Sequence, residues 1–283
     1  MKREPAVAGR FYPGTQSQLK EMIERCFLDE KIGPGELPDL NFRPTRKGDI
    51  FCLISPHAGY VYSGPVAAHG YLEQYKDGKP EFFVIIGPNH TNMGPAISVY
   101  PKGTWLTPLG EAVIPESIVE KITKQPHFRA DTAAHMMEHS IEVQVPFLQY
   151  LYGSDVNIIP ICLKDQSPET CERIGNVLPK VLAEYDYCLI ASTDMSHYES
   201  ASKAMEKDQL VIQKLKRLDS DGLLDTVMDN QISMCGPGPV SSAIRISKKL
   251  GMKNVELLKY ATSGDVSGDK NAVVSYLSAI IKK

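Results

Sequence analysis

Three histidines and one cysteine carry the chemistry that can be read from this chain. His57, His90 and His197 each stand just beyond a short apolar run, at residues 51–54, 82–86 and 187–191. Imidazoles gathered on fixed points suit a divalent transition metal, because each offers a neutral nitrogen donor. Cys235 is the fourth member. It precedes Gly236-Pro237-Gly238-Pro239 at the expected mouth of a helix, where a thiol pKa is lowered and a thiolate could act as a soft ligand or as a nucleophile. Asp194, three residues before His197, is placed to orient that imidazole or to accept a proton. Glu138, His139 and Glu142 could line the same cleft, with Tyr60, Phe11 and Tyr12 as aromatic walls. His127 and His135 read as surface loop residues and His69 as a core histidine on a helix.

For these groups to meet, the apolar runs must be neighbouring strands running the same way, so that their C-terminal ends share one sheet edge. Residues 50–54 read as a buried strand stopped by Ser55-Pro56. Ser63 is the expected N-cap of a helix over 65–75. Thr15 and Gln18 suggest a capping box ahead of a helix carrying Leu19, Met22, Ile23, Cys26 and Phe27. Phe11 and Tyr12 are expected to be exposed on the preceding Gly/Pro loop.

Further strands are expected at 81–86, 96–100, 111–114, 156–162, 187–191 and 255–260. Helices are expected at 116–124, 138–152, 168–184, 200–218, 221–228 and 240–250. Residues 32–48 read as an irregular connection and 261–269 as a Gly/Asp loop. That loop, including Ser263, Asp265 and Asp269, resembles a hard-cation or phosphate loop only loosely, and residues 271–281 could be strand or helix. Alternating strands and helices predict a single α/β domain over residues 1–283, with helices on both faces of a largely parallel or mixed sheet.

Composition narrows the partners. With 283 residues, 42% hydrophobic and 23% charged, the chain can build a sizeable core. A net charge of -3 leaves no basic footprint for nucleic acid. No apolar run approaches the roughly 20 residues of a membrane helix, and Met1-Lys-Arg-Glu-Pro lacks the apolar core of a signal peptide. A cytoplasmic protein is expected. The six cysteines show no CxxC, and five sit in apolar surroundings, as buried thiols do in a reducing compartment. No P-loop, GxGxxG, GxSxG or EF-hand pattern occurs.

The runs Ser55-Pro-His-Ala-Gly-Tyr60, Gly87-Pro-Asn-His90, Glu138-His-Ser-Ile-Glu142, Asp194-Met-Ser-His197 and Cys235-Gly, with the opening Ala8-Gly-Arg-Phe-Tyr12, resemble the Memo family in order along nearly the whole chain. The resemblance implies a fold similar to the class III extradiol dioxygenases, which hold non-haem Fe(II) with two histidines and a glutamate. It makes His57 and His90 the two histidine ligands. It puts Cys235 at the dioxygenase glutamate position and His197 at their acid/base histidine. A soft thiolate in place of a hard carboxylate favours Fe(II), Cu or Zn over Mg or Ca.

The reading that results is a metal-dependent redox enzyme with Fe(II) on His57, His90 and Cys235, and with His197 and Asp194 as catalytic residues. The family's prokaryotic members carry a link by genome context to a radical-SAM protein. Two other readings stand beside it. One is a non-catalytic metal-handling protein, or a binder of a peptide or small molecule, using the same cleft. The other is a thiol hydrolase or amidase with Cys235 as nucleophile.

Overall fold

Continuous apolar runs without polar alternation fit strands covered on both faces, and the chain uses them so. In the computed structural model, which describes residues 1–153 and 156–283, the chain opens with β1 (Lys2–Arg3), α1 (Gln16–Leu28), β2 (Ile50–Ser55), α2 (Tyr60–Asp77) and β3 (Phe82–Pro88). It continues through β4 (Ile97–Val99), β5 (Thr104–Thr107), β6 (Gly110–Val113), α3 (Glu116–Thr123), β7 (Phe128–Ala130) and α4 (Ala133–Met136). A 3-10 turn (Glu142–Gln144) leads into α5 (Val145–Tyr152), followed by β8 (Ile158–Leu163), α6 (Pro168–Val181), β9 (Tyr187–Ser192) and β10 (His197–Glu199). The chain closes with α7 (Ala201–Lys216), α8 (Ser220–Asp229), α9 (Pro237–Lys249), β11 (Asn254–Thr262), α10 (Ser263–Ser267) and β12 (Val273–Lys282).

Among the described residues nine strands form one mixed sheet in the order β10-β12-β2-β9-β3-β8-β4-β7, with β11 also paired to β12. Its centre, β2-β9-β3-β8, is parallel throughout, and every residue of those four strands is buried. β12 and β4 flank this centre antiparallel. α9 packs on β2, β9 and β3, while α2 packs on β2, β12 and β11, so each covers a face of the sheet. A second, three-stranded sheet joins β1, β5 and β6.

The register places the site. Ser55 of β2 pairs with Ser192 of β9, and Ala191 of β9 with Ile86 of β3. Three adjacent parallel strands therefore end together, with His57, Asp194 and His90 each two residues past its strand. The expected α/β class, with a mixed sheet and flanking helices, is what the chain adopts.

Several local expectations are overturned. α2 begins at Tyr60 after Gly59, with Pro65 inside it, and Ser63 donates to the Ala58 carbonyl instead of capping. Thr15 precedes α1 without a side-chain cap, because its hydroxyl bonds the Gln18 side chain. Residues 138–141 precede the helix expected over 138–152; Pro146 lies in the first turn of α5, where its missing N–H costs little. Ser263–Ser267 form a short helix, with a capping box between Thr262 and Asp265 that uses the carboxylate suggested for a cation. Residues 273–282 are strand.

Candidate metal centre

His57 is buried, and its two ring nitrogens have different jobs. Nδ1 lies 2.8 Å from Ser192 Oγ. The Ser192 hydroxyl proton is committed to the Ser140 carbonyl (2.7 Å), and the same oxygen accepts from Gln144 Nε2 (2.9 Å). Nδ1 must therefore carry the proton. This leaves the Nε2 lone pair facing Cys235 Sγ at 3.1 Å. Gln144 also holds the Pro56 carbonyl (3.0 Å) beside His57 and takes the Tyr71 hydroxyl on its Oε1.

His90 repeats the arrangement with a charged partner. Its Nδ1–H donates to Glu138 Oε1 at 2.9 Å, again freeing Nε2. Glu138 also accepts the backbone N–H groups of His90, His139 and Ser140. Its position depends on Gly87, where a Cβ would lie 2.5 Å from Ser140 Oγ. His197 donates Nδ1–H to the Ser233 carbonyl (2.8 Å) and its backbone N–H to Ser233 Oγ (2.7 Å). Ser233, not Asp194, thus orients the His197 ring.

The carboxylate of Asp194 instead accepts the His57 backbone N–H at 2.7 Å, while its own N–H points at Cys235 Sγ at 3.1 Å. Cys235 is fixed from both sides. Its N–H donates to the Asp194 carbonyl (3.3 Å), and Gln166 bridges its carbonyl (3.0 Å) to the N–H of Gly238 (2.9 Å). Gly236 allows the approach, since a Cβ there would meet the Ser192 carbonyl at 2.5 Å.

Donor atoms of His57, His90 and Cys235 all lie within 4.8 Å of one another. The same spacing holds for His90, Glu138 and His139, but the Glu138 oxygens are already filled by four N–H donors. That second group serves as outer support for the first. Carboxylate-to-imidazole pairs of this kind fix ring orientation and raise ligand basicity in metal centres.

Comparison with known proteins identifies the family. The Memo family, described as Memo-like protein, matches residues 3–280. A "MEMO1 family protein" of Thermotoga maritima is 48% identical over 283 residues, covering 99% of this chain and 100% of its own. Relatives under the same family name in Sulfurisphaera tokodaii and Methanopyrus kandleri are 45% and 43% identical, covering 98% of both chains and 100% of both chains respectively. This chain belongs to the Memo family. Among solved structures, an uncharacterized protein of Escherichia coli K12 shares the fold with a TM-score of 0.51 and 14% identity, covering 81% of this chain and 99% of its own.

In this Memo protein the charges acting on the site come from the site histidines themselves and from Glu138, Asp194 and Glu142. Burial, aided by His139, His90 and His197, holds His57 well below the ordinary imidazole pKa. At His90 burial works the same way, but the hydrogen bond and charge of Glu138 outweigh it and raise the pKa. For Glu138 burial is likewise outweighed, by His90 above all, and the carboxyl falls to about 2. Burial raises Asp194 to about 7.

The Cys235 thiol is pushed up by burial and by the Asp194 carboxylate. This reverses the expectation of a helix-lowered thiol, and it means that a cation must displace the proton shared with His57.

His139 is closer to the centre than its sequence context suggested. Its ring stacks on His90 (4.6 Å between centroids, 23°) and stands edge-on to His57 (5.4 Å), and burial lowers its pKa to about 4. Phe11 touches it at 4.7 Å. Tyr12 and Tyr60 are buried rather than exposed walls, their hydroxyls held by Glu142 Oε1 and the Val143 carbonyl. Glu142 does not line the cleft; it pairs with Arg3. His135 is fully buried rather than on the surface. Sequence reasoning missed Ser192, Gln144, Ser233 and Gln166. Only Gln144 left a signal, as a lone polar residue in the apolar stretch 143–148.

Proposed function

We propose that this Memo protein is a metal-dependent redox protein, with Fe(II) held by His57, His90 and Cys235 and with Cu or Zn as alternative occupants. One observation carries the reading. Ligand atoms of two imidazoles, each with its Nδ1–H tied to a fixed acceptor, lie within 4.8 Å of one another and of one sulfur. This donor set fits a borderline-soft divalent cation and departs from the two-histidine, one-carboxylate set of non-haem oxygenases. When bound, Fe(II) or Cu would supply Lewis acidity and one-electron chemistry, and Zn Lewis acidity alone.

The chain's own residues do the rest. Ser192 and Glu138 hold the His57 and His90 rings in the ligating tautomer. His197, with Nδ1 engaged by Ser233, keeps Nε2 available to take or give a proton, which is the acid/base role. Asp194 fixes the His57 and Cys235 backbones, and its pKa near 7 leaves it able to exchange a proton at working pH. The substrate is a small molecule or peptide admitted beside His197.

All six cysteines are free and five are buried, which supports a reducing, cytoplasmic setting. Among the described residues no helix is long and apolar enough to cross a membrane. Metal analysis of anaerobically purified protein tests the assignment. Wild type is expected to carry one equivalent and Cys235→Ser to lose it; wild type without stoichiometric metal under iron-replete conditions refutes it.

A further inference from the structure

Residues 3–12 hold the centre from outside the sheet. Arg3 is buried, and its guanidinium lies 4.1 Å over the Trp105 ring. Nε donates to the His135 carbonyl (2.7 Å), Nη2 to the Glu138 carbonyl (2.8 Å) and Nη1 to Glu142 Oε2 (2.7 Å), with a longer contact to the Glu4 carbonyl (3.4 Å). Glu142 in turn accepts the N–H groups of Ala6 (2.8 Å) and Val7 (3.0 Å) and the Tyr12 hydroxyl (2.6 Å).

One planar cation thus grips the backbone at both ends of residues 135–138 and ties it to the 3–12 segment. Glu138 leaves that backbone to hold His90. On the other side, the Phe11 carbonyl accepts the N–H of Tyr60 (2.8 Å), three residues past His57, and the Phe11 ring lies on His139.

A buried ion pair is weak support for stability, since an apolar replacement of similar volume is often neutral. Arg3 does more than pair. It spends its fork on two carbonyls whose spacing fixes where Glu138 sits, and a lysine ammonium could not satisfy all three acceptors at once.

We infer that Arg3 is a positioning residue of the metal centre: by clamping the carbonyls of His135 and Glu138 it sets the Glu138–His90 hydrogen bond, so the 3–12 segment is a working part of the site. This rests on the metal-centre reading above, and the test separates the two.

Co(II) is titrated into metal-free wild type, Arg3→Lys and the charge-balanced double variant Arg3→Met with Glu142→Gln, in which the amide oxygen can still accept from Val7 and Tyr12. Histidine tautomers are read by nitrogen NMR on the same metal-free samples. Leu178→Ala on α6, which carries neither segment, controls for lost stability. The double variant is expected to fold, to bind Co(II) about 10- to 100-fold more weakly, and to lose the single Nδ1–H tautomer of His90 while keeping that of His57. Arg3→Lys should fall between, and Leu178→Ala should bind as wild type.

A folded double variant with wild-type affinity and an unchanged His90 tautomer overturns the inference, and so does an equal affinity loss in Leu178→Ala. If wild type itself binds no Co(II), the metal-centre reading fails and the tautomer of His90 alone decides the role of Arg3. Should the double variant not fold, Arg3→Lys decides by the same two readouts.

Discussion

Buried imidazoles stand in two regions of this molecule, with opposite outcomes. At the sheet edge, His57, His90 and His197 give their Nδ1 protons to Ser192, Glu138 and the Ser233 carbonyl, and keep Nε2 lone pairs free. In the box below Arg3, His135 packs edge-on to Tyr100 and Trp105. There the Ser98 hydroxyl is committed to Asp131 (2.9 Å), so His135 Nε2 donates to Ser98 (3.0 Å), and Nδ1 is buried without a partner. His57 and His135 are both buried. What separates His57 from His135 is the direction of the spare lone pair: toward the Cys235 sulfur in one, into packed rings in the other. Burial alone therefore does not mark a ligand.

The largest test of that contrast removes ligands from the first region and the imidazole from the second. His57→Ala and Cys235→Ser should each weaken metal binding by more than about 100-fold, beyond the range of outer partners, whereas His135→Phe should leave it unchanged. Anaerobic metal analysis after dialysis reads both. Retained metal in His57→Ala would mean that the convergence of donors is coincidental.

Glu138→Gln comes next. The amide oxygen keeps an acceptor for the His139 and Ser140 N–H groups but gives up the charge that holds His90, so affinity should drop about 10- to 100-fold. Calorimetry of metal titrations would show it, and an unchanged affinity would move His90 into the same class as His135.

How much of this contrast was legible in the sequence follows from which forces act locally. The central strands were legible because parallel strands buried on both faces are written as unbroken apolar runs, as at Phe82–Pro88. Their histidines could be placed because a strand end is a fixed point. The supporting groups were hidden, since Ser192, Ser233 and Gln166 act through hydrogen bonds that exist only after distant segments meet. His135 was misread as surface because short loop-like residues around 133–137 say nothing of the Trp105 and Tyr100 rings that close over it. The α2 start was misread because Pro65 looks like a first-turn residue, yet the chain already turns helical at Tyr60.

The two regions should also differ in how acid reaches them. The unfolded His135 imidazole titrates near 6.5 and the buried one near 3. Between those values the unfolded chain binds a proton that the folded chain refuses, so this contribution is intact above about pH 6.5 and stability falls as pH drops toward 3. One such proton steepens the decline by up to about 1.4 kcal/mol per pH unit. His135→Phe should flatten the denaturation free energy across that window by this amount, with His57, His139 and Glu138 adding to the slope that remains and Asp194 opposing it. An identical slope in the variant would show that His135 takes up its proton without unfolding.

The smallest effect concerns backbone strain, which also divides the regions. Asn92 and Tyr198, which follow His90 and His197 by two residues and one, both hold left-handed φ values of 58°. Tyr100 and Trp105 do not have φ in this region. For a bulky aromatic that conformation costs about 1–2 kcal/mol, and at 80% exposure Tyr198 recovers little of it by burial. Glycine adopts the conformation freely but gains freedom in the unfolded chain. Tyr198→Gly should therefore stabilise the protein by a net of about 0.5–1 kcal/mol, whereas deleting the buried ring of Tyr100 should destabilise it by about 3–5 kcal/mol, as core aromatic truncations do. Thermal unfolding measures both. A Tyr198→Gly variant no more stable than wild type would show that the irregular strand bearing His197 is relaxed, and the strain argument for that side of the site would fall.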